Sequence, residues 1–259
     1  MLTKSTYKLI RSLDTRKGRR EEGLFVAEGH KLVGELLGHF PCVALYHTDS
    51  PALHTLLQEA SDLSDWVTGI ERVTETEMER ASLQQSPQGV LALFRIPQRD
   101  EDPSALISNR LCIALDGVQD PGNLGTIIRL ADWFGIEDVF CSMDTCDVWN
   151  PKAVQATMGG IARVRVHYLF LPDLIASLPS EVPVYGTSLH GQSFWDAPLE
   201  QRGLLVMGNE GKGVTAEVAA LCRTQLLIPN YPMGNVTTES LNVAMATGII
   251  LAEFRRRTA

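Results

Sequence analysis

Polar and glycine-rich residues that could do chemistry collect in the second half of the chain, in segments that each follow a short apolar run. The first segment covers residues 116–129 and contains Asn123, a residue type that often caps helices, and Arg129 on the helix that follows. Helical side chains point back toward the N-terminus, so Asn123 and Arg129 could converge on one anionic or polar group. The alternative is a capped helix with an exposed arginine.

The second segment, residues 207–214, reads MGNEGKGV. Its glycines are spaced GxxGxG, which matches neither the dinucleotide-binding fingerprint nor the phosphate-binding P-loop. Gly208 starts a turn in which a ligand could approach the backbone closely. Glu210 would repel a phosphate, so the segment favours a neutral or cationic ligand. The alternative is a plain tight turn.

The third segment covers residues 228–246, and its Ser240 and Asn242 are predicted to open an otherwise apolar helix. Both residue types also occur at helix starts simply to satisfy backbone groups. The six histidines show no HxxxH spacing, so we expect no metal site. The nucleophile elbow GxSxG of many hydrolases is absent from the sequence.

Short apolar strands and helices alternate around these segments. The predicted strands cover residues 111–115, 138–141, 163–167, 183–187, 204–207 and 225–228. The predicted helices cover residues 124–134, 153–158, 171–177, 216–221 and 240–257. This alternation predicts an α/β fold, with a mostly parallel sheet that carries helices on both faces. Ligands of such sheets bind at the carboxyl ends of the strands, which is where the polar segments fall.

The first part of the chain has its own pattern, and a polar stretch with two prolines separates it from the rest. We therefore predict a small α/β domain over residues 1–95, a linker over 96–110 and a second domain over 111–259. In the first domain, helices are predicted over 5–13, 30–37, 52–59 and 75–81, and strands over 24–27, 42–46 and 90–94.

Charge is distributed unevenly along the 259 residues. The formal net charge is −8, which argues against a nucleic-acid binder, yet residues 1–20 alone sum to +6. A local basic patch can hold a phosphate backbone because salt screens each charge within about 10 Å. Charge alone leaves open whether this stretch binds a nucleic acid or is an ordinary solvated helix face. The residues concerned are Arg11, Arg16, Lys17, Arg19 and Arg20.

Composition also limits the cellular setting. With 44% hydrophobic residues, the chain is not of the disordered class. It lacks an apolar run near 18 residues and a signal peptide at Met1, so we expect no membrane span and no export. Five cysteines without a CxxC pair are typical of reduced thiols, which predicts a cytoplasmic protein.

Taken together and in this order, the segments around Asn123, Gly208 and Ser240 resemble the motifs of the SpoU family of RNA ribose 2′-O-methyltransferases, within the SPOUT superfamily. The second matches the family's G-x-E-x-x-G motif and the third its S-L-N-V helix. Residues 9–33 and 88–92 resemble the substrate-binding domain that precedes the catalytic domain in many members.

The resemblance implies a trefoil knot in the C-terminal segment, S-adenosylmethionine held in that knot, and a homodimer with a composite active site. It implies a catalytic set of Asn123, Arg129, Glu210, Ser240 and Asn242. It also implies cofactor contacts from Gly208, Ile228 and Leu241, and from Met233 and Gly234 in a loop longer than is usual in the family.

The function expected from this resemblance is methylation of a ribose 2′-hydroxyl in structured RNA. The basic residues of the stretch 1–20 are then predicted to contact that RNA. Ribosomal RNA is favoured because the extra N-terminal domain is commoner among the rRNA enzymes. Three alternatives stay open: a tRNA 2′-O-methyltransferase, a nucleobase methyltransferase, and a non-catalytic RNA-binding or ribosome assembly factor. Because a guanidinium rarely deprotonates, we expect Arg129 to bind a phosphate and stabilise the developing alkoxide rather than act as the base.

Overall fold

The computed structural model of the protein describes residues 1–50, 53–63, 65–97, 102–232, 235–236 and 238–257. The chain forms two compact units, one from residues 1–99 with 147–162 and the other from residues 100–146 with 163–259. The segment 147–162, which the sequence division placed in the second domain, packs in the first unit. The reason is aromatic packing, because the Trp149 ring lies 4.6 Å from that of Phe25 and 5.8 Å from that of Phe40.

The first unit is a four-stranded sheet with helices. Its helices are Lys4–Ser12 (α1), Arg16–Glu22 (α2), His30–Leu36 (α3), His54–Asp62 (α4), Glu75–Ala81 (α5) and Pro151–Thr157 (α8). Its strands are Leu24–Glu28 (β1), Cys42–His47 (β2), Ile70–Arg72 (β3) and Val90–Arg95 (β4). The strand order is β1-β4-β2-β3, with β4 antiparallel to both of its neighbours. Ile10 and Leu13 of the first helical segment are fully buried against this sheet.

The second unit contains the larger sheet. Its strands are Leu111–Asp116 (β5), Asp138–Cys141 (β6), Arg165–Tyr168 (β7), Val184–Ser193 (β8), Gly203–Gly208 (β9) and Thr224–Leu227 (β10). Its helices are Pro103–Asn109 (α6), Pro121–Trp133 (α7), Leu171–Ser177 (α9), Ala216–Leu221 (α10) and Val243–Arg256 (α11). The strand order is β10-β8-β9-β5-β6-β7, and every pairing among these strands is parallel. The predicted α/β class with a parallel sheet is confirmed.

Alternating side chains of the central strands explain why helices cover this sheet on both faces. Cys112 and Ala114 of β5 belong to a buried cluster with residues of α6, α9 and α10. The intervening Ile113 and Leu115 are equally buried, and α7 and α11 pack against each other in the same unit. Because both sets are apolar, the strand appears in the sequence as one continuous apolar run.

Among the α-helices and strands of the described residues, three short ones were absent from the sequence prediction. Helix α2 covers most of the basic run, where the Thr15 hydroxyl accepts a hydrogen bond from the Gly18 amide at 3.1 Å. Strand β3 is the second. Helix α6 lies inside the predicted linker over 96–110, where Asp102 caps it and Ile107 is buried, so that part of the linker is ordered structure.

Two helix starts that matter for the site differ from the prediction. Helix α7 begins at Pro121, and its cap is Asp120, whose carboxylate accepts a hydrogen bond from the Asn123 amide at 2.8 Å. Asn123 is therefore in the first turn and is not the cap. Helix α11 begins at Val243 with Asn242 as its cap, so Ser240 precedes the helix.

No helix in the described part of the chain is long and apolar enough to cross a bilayer. The trefoil knot stays a prediction.

Candidate active site

Two loops meet because β5 and β9 are parallel neighbours that end side by side. Asp116, the last residue of β5, is paired in register with Gly208, the last residue of β9. The chain continues from these residues into the first and second polar segments. The sheet therefore places at one edge two segments that are about 90 residues apart in the sequence, as expected for ligand sites of parallel sheets.

Three of the predicted catalytic residues form one hydrogen-bonded chain at this edge. The side-chain amide of Asn123 donates to Glu210 Oε1 at 2.9 Å. The side-chain amide of Asn242 donates to Asn123 Oδ1, also at 2.9 Å. Asn123 is thus held from both sides, by a carboxylate from the glycine-rich loop and by the residue that caps α11.

The other two predicted catalytic residues are not joined to this chain. Arg129 lies on α7, six residues beyond Asn123 and therefore about 9 Å further along the helix axis. Its side chain is exposed and makes no hydrogen bond or ion pair with any residue that the structure describes. Ser240 is also exposed and has no hydrogen bond within the same described ranges.

A cavity of about 490 Å³ lies beside the hydrogen-bonded chain. Its size is within the range of about 300–1,000 Å³ that is usual for small-molecule sites. The predicted cofactor contacts Gly208, Ile228 and Leu241 all line it, together with Glu210 and Ser240. Met233 and Gly234, which were also predicted to contact the cofactor, lie outside the described residues.

The wall of the cavity beside Gly208 is made of backbone. A Cβ atom at Gly208 would lie 2.1 Å from Gly213 C and from Val214 N, so no side chain fits there. The loop folds back on itself because Asn209 and Gly213 exchange two backbone hydrogen bonds of 2.9 Å. This close approach is the physical reason for glycine at position 208.

The structure adds ionisable residues to the cavity wall that sequence reasoning did not select. His190, Lys212 and Glu239 all line it. The predicted strand over 183–187 ended before His190, but β8 runs on to Ser193 and carries this histidine along the cavity. The continuation of the strand beyond residue 187 was hard to predict because the residues there are mostly polar.

Three thiols of this unit, those of Cys112, Cys141 and Cys222, are poor nucleophiles. Burial raises the pKa of Cys112 and of Cys222 to about 12, and it raises the pKa of Cys141 well above its usual value. At neutral pH these groups are therefore protonated, which argues against thiolate catalysis. Within the described residues, no group of three or more His, Cys, Asp or Glu side chains is arranged to hold a metal ion.

The basic segment of the first unit divides into exposed and buried cations. Arg16 and Arg20 are exposed, lie one helical turn apart on α2 and have no ion pair with a described residue. Lys17 is exposed beside Glu21, with a distance of 3.7 Å between Nζ and Oε1. Arg11 is exposed and donates to the Arg80 carbonyl at 2.8 Å.

Arg19 is the exception, and its predicted contact with RNA is wrong. Its side chain is only 3% exposed. Its Nε and Nη2 atoms donate to Asp147 Oδ2 at 2.8 and 2.6 Å, and its Nη1 atom donates to the Leu13 carbonyl at 2.7 Å. A buried charge needs such hydrogen-bonding partners, and here they come from Asp147 and Leu13 of the same unit. The guanidinium therefore stabilises the first unit.

Comparisons with known proteins identify the family of the chain. The family model described as SpoU rRNA Methylase family matches residues 110–252, and the MRM3-like substrate binding domain model matches residues 4–92. The Bacillus subtilis 23S rRNA (guanosine(2553)-2′-O)-methyltransferase RlmP is 32% identical over 252 residues, which is 95% of this chain and 94% of that protein.

Solved structures are also similar over the whole length. A TrmH-family structure from Porphyromonas gingivalis has 40% identity and a TM-score of 0.83, and covers 99% of both chains. An AdoMet-bound rRNA methyltransferase from Sinorhizobium meliloti has 30% identity and a TM-score of 0.84, and covers 100% of this chain and 97% of its own. The protein belongs to the SpoU rRNA methylase family.

Proposed function

We propose that the protein transfers the methyl group of S-adenosylmethionine to a ribose 2′-hydroxyl of ribosomal RNA. The observation that carries the proposal is the chain of hydrogen bonds from Asn242 through Asn123 to Glu210, at the edge of a cavity of about 490 Å³. Family membership and the resemblance to RlmP, whose name gives an rRNA 2′-O position, support it.

The cavity wall suits S-adenosylmethionine in its shape and charge. The backbone of the loop after Gly208 offers close approach, which suits a flat adenine ring or a ribose. Two carboxylates, Glu210 and Glu239, line the cavity beside one lysine, and they complement the positive sulfonium and ammonium groups of the cofactor. When bound there, the cofactor supplies an electrophilic methyl group.

Glu210 and Asn123 would hold the RNA ribose in place. Glu210 Oε1 accepts from Asn123, and no described residue donates to Glu210 Oε2, so that oxygen can accept a hydrogen bond from the ribose hydroxyl. Correct alignment of two reactants contributes up to about 7–11 kcal/mol through effective molarity. The Asn242 amide fixes the orientation of Asn123 and so helps to set this alignment.

Arg129 would bind the neighbouring phosphate and stabilise the alkoxide that develops on the ribose. An arginine that is exposed and has no partner among the described residues is ready for such a role. Because Arg129 lies outside the hydrogen-bonded chain, we propose that it acts in the composite site of a homodimer. Sedimentation or light scattering should then give the mass of two chains at assay concentrations.

The first 95 residues would bind the substrate RNA. Arg16 and Arg20 present two charges from one face of α2, and Arg11 and Lys17 lie nearby in the sequence. The match to a substrate binding domain model supports this assignment of the N-terminal part. We place the reaction in the cytoplasm, since all five cysteines are free thiols, as in a reducing compartment.

The test uses methyl-labelled S-adenosylmethionine with purified rRNA and, separately, purified tRNA. A 2′-O-methyl group blocks alkaline cleavage of the adjacent phosphodiester, so labelled rRNA should give alkali-resistant dinucleotides. Label found only on mononucleotides would mean base methylation, and label found only on tRNA would exclude the rRNA assignment. Absence of cofactor binding in calorimetry would favour a non-catalytic RNA-binding role and would refute the proposal.

A further inference from the structure

The side chain of Asn209, which lies between Gly208 and Glu210, joins two loops of the second unit. Its amide nitrogen donates to the Gly117 carbonyl, in the loop after β5, at 2.8 Å. Its Oδ1 atom accepts from the backbone amides of Gly211 at 2.9 Å and of Lys212 at 3.0 Å. Two of the three bonds are local and shape the turn, whereas the first crosses to another strand end.

The acceptor of this cross-link is itself held firmly. The Gly117 amide donates to the hydroxyl of Ser142 at 2.9 Å. Gly117 has a φ of +74°, a left-handed conformation that favours glycine, and a Cβ atom there would contact Asp144 Oδ2 tightly, at 3.2 Å. The carbonyl that receives the Asn209 amide therefore has a fixed position.

Glu210 and Asn123 lie on opposite sides of the cross-link. Glu210 directly follows Asn209, and Asn123 follows Gly117 by six residues, in the first turn of α7. The other end of the glycine-rich loop is also tied to β5, because buried Asp116 accepts from the Thr215 amide at 2.7 Å. The loop is thus attached to one strand end at two points that bracket Glu210.

We propose that Asn209 is a positioning residue for methyl transfer. Its amide, through the Gly117 carbonyl, keeps the Glu210 carboxylate at 2.9 Å from the Asn123 amide. A misplacement of about 1 Å can lower turnover about 100-fold, so one neutral hydrogen bond can matter far more for the rate than for stability. This inference rests on the proposed function, because it assigns a partner to a residue of that site.

Asn209→Asp and Asn209→Ser test the cross-link separately from the turn. Aspartate keeps an oxygen that can accept the two local amide bonds, and serine keeps a weaker acceptor without adding charge. Neither has the side-chain amide that donates to the Gly117 carbonyl. We expect kcat for RNA methylation to fall roughly 10- to 100-fold in both, with the Kd for S-adenosylmethionine and the KM for RNA within about threefold of wild type.

Asn109→Ser is the matched control, because the Asn109 amide also donates to a backbone carbonyl, that of Ala105 at 3.0 Å, on a helix of the same unit. It should leave kcat unchanged. Wild-type kcat in both Asn209 variants would overturn the proposal. So would a loss of cofactor affinity as large as the loss of kcat, since Asn209 would then shape the cavity instead of placing Glu210.

The double variant with Glu210→Gln shows whether Asn209 acts through Glu210. If it does, adding Asn209→Ser to Glu210→Gln should lower kcat by less than about twofold more, because the group to be positioned has already been altered. Losses that multiply would overturn the proposal. A wild-type protein that transfers no methyl group would instead refute the proposed function, so the two failures are distinguishable.

Discussion

Replacing Gly208 by alanine tests whether close packing of the backbone at this position is needed for cofactor binding, or whether the loop tolerates an added methyl group. In the structure, the added Cβ would lie 2.1 Å from two backbone atoms, Gly213 C and Val214 N. Ordinary van der Waals contact requires well over 3 Å, so the opposite side of the loop would have to move by more than about 1 Å. No flexible side chain can absorb this movement, since both neighbours are main-chain atoms.

The size of the effect follows from the cost of overpacking, which is typically about 1–3 kcal/mol. Here the strained segment is the wall of the cavity, and the cofactor binds to the native conformation of this loop. We therefore expect most of this free energy to be lost from cofactor binding. At about 1.4 kcal/mol for each factor of ten, the Kd for S-adenosylmethionine should rise roughly 5- to 150-fold.

Calorimetric titration of the cofactor into the Gly208→Ala and Gly211→Ala variants compares their Kd values for S-adenosylmethionine. Gly211 is exposed in the same loop, and its added Cβ would have only Asn209 Oδ1 nearby, at 3.7 Å, so this variant should bind like wild type. Thermal unfolding of both variants shows that they are folded. Wild-type affinity in Gly208→Ala, or equal losses in the two variants, would refute the reasoning.

Three further predictions concern charged residues. Arg129→Lys keeps the charge but not the planar fork, so kcat/KM for RNA should fall at least about tenfold in the labelled-cofactor assay, and near-normal turnover would contradict the role assigned to its guanidinium. Replacing Arg16 and Arg20 together by glutamine should lower the slope of log affinity for RNA against log salt by about 2, whereas the ion-paired Arg72 replaced by glutamine should not change it. Burial raises the pKa of Asp138, but hydrogen bonds from a histidine and an arginine outweigh it and lower this pKa to about 2. Its stabilisation, about 2 kcal/mol, is therefore present above about pH 4 and lost as pH falls toward about 2, so urea unfolding of Asp138→Asn should lack that pH dependence.

The second unit could be predicted well from the sequence because its strands are buried on both faces. Continuous apolar runs such as residues 111–115 need no tertiary information to be recognised, and Asp138–Cys141 was placed at its observed limits. Helix α2 was missed for the converse reason. Arg16–Glu22 has no apolar stripe, since its buried residues are Gly18 and Arg19.

Helix starts were predicted less accurately, although one signal was present. Asp120 followed by Pro121 is the usual arrangement of a cap and a first helical residue, and it competes directly with Asn123 three residues later. The difference matters chemically. The side-chain oxygen of a capping asparagine accepts hydrogen bonds from backbone amides. Asn123 lies in the first turn instead, so its side-chain nitrogen donates to Glu210 and its oxygen accepts from Asn242.

Some features of the site depend on contacts that no local pattern contains. The burial of Arg19 follows from Asp147, which is 128 residues away in the sequence. The cross-link from Asn209 to Gly117 depends on which two strands lie side by side, and strand order is a property of the whole sheet. A run of basic or glycine residues indicates that some of them have structural or binding roles. Which residue has which role depends on its contact partner elsewhere in the fold.

Net charge is a poor guide to RNA binding in this protein because many of its cations already have partners. Arg223 donates to backbone carbonyls, and Arg257 donates both to backbone carbonyls and to the Glu253 carboxylate, so the hydrogen-bonding capacity of both guanidinium groups is already used. Arg16, Arg20 and Arg129 are exposed and have no such partner among the described residues. An RNA held by a few such cations should release few counterions, so its affinity should depend only modestly on salt. Specific recognition must then come largely from the shape of the RNA and from hydrogen bonds to its riboses, which is consistent with chemistry directed at a 2′-hydroxyl.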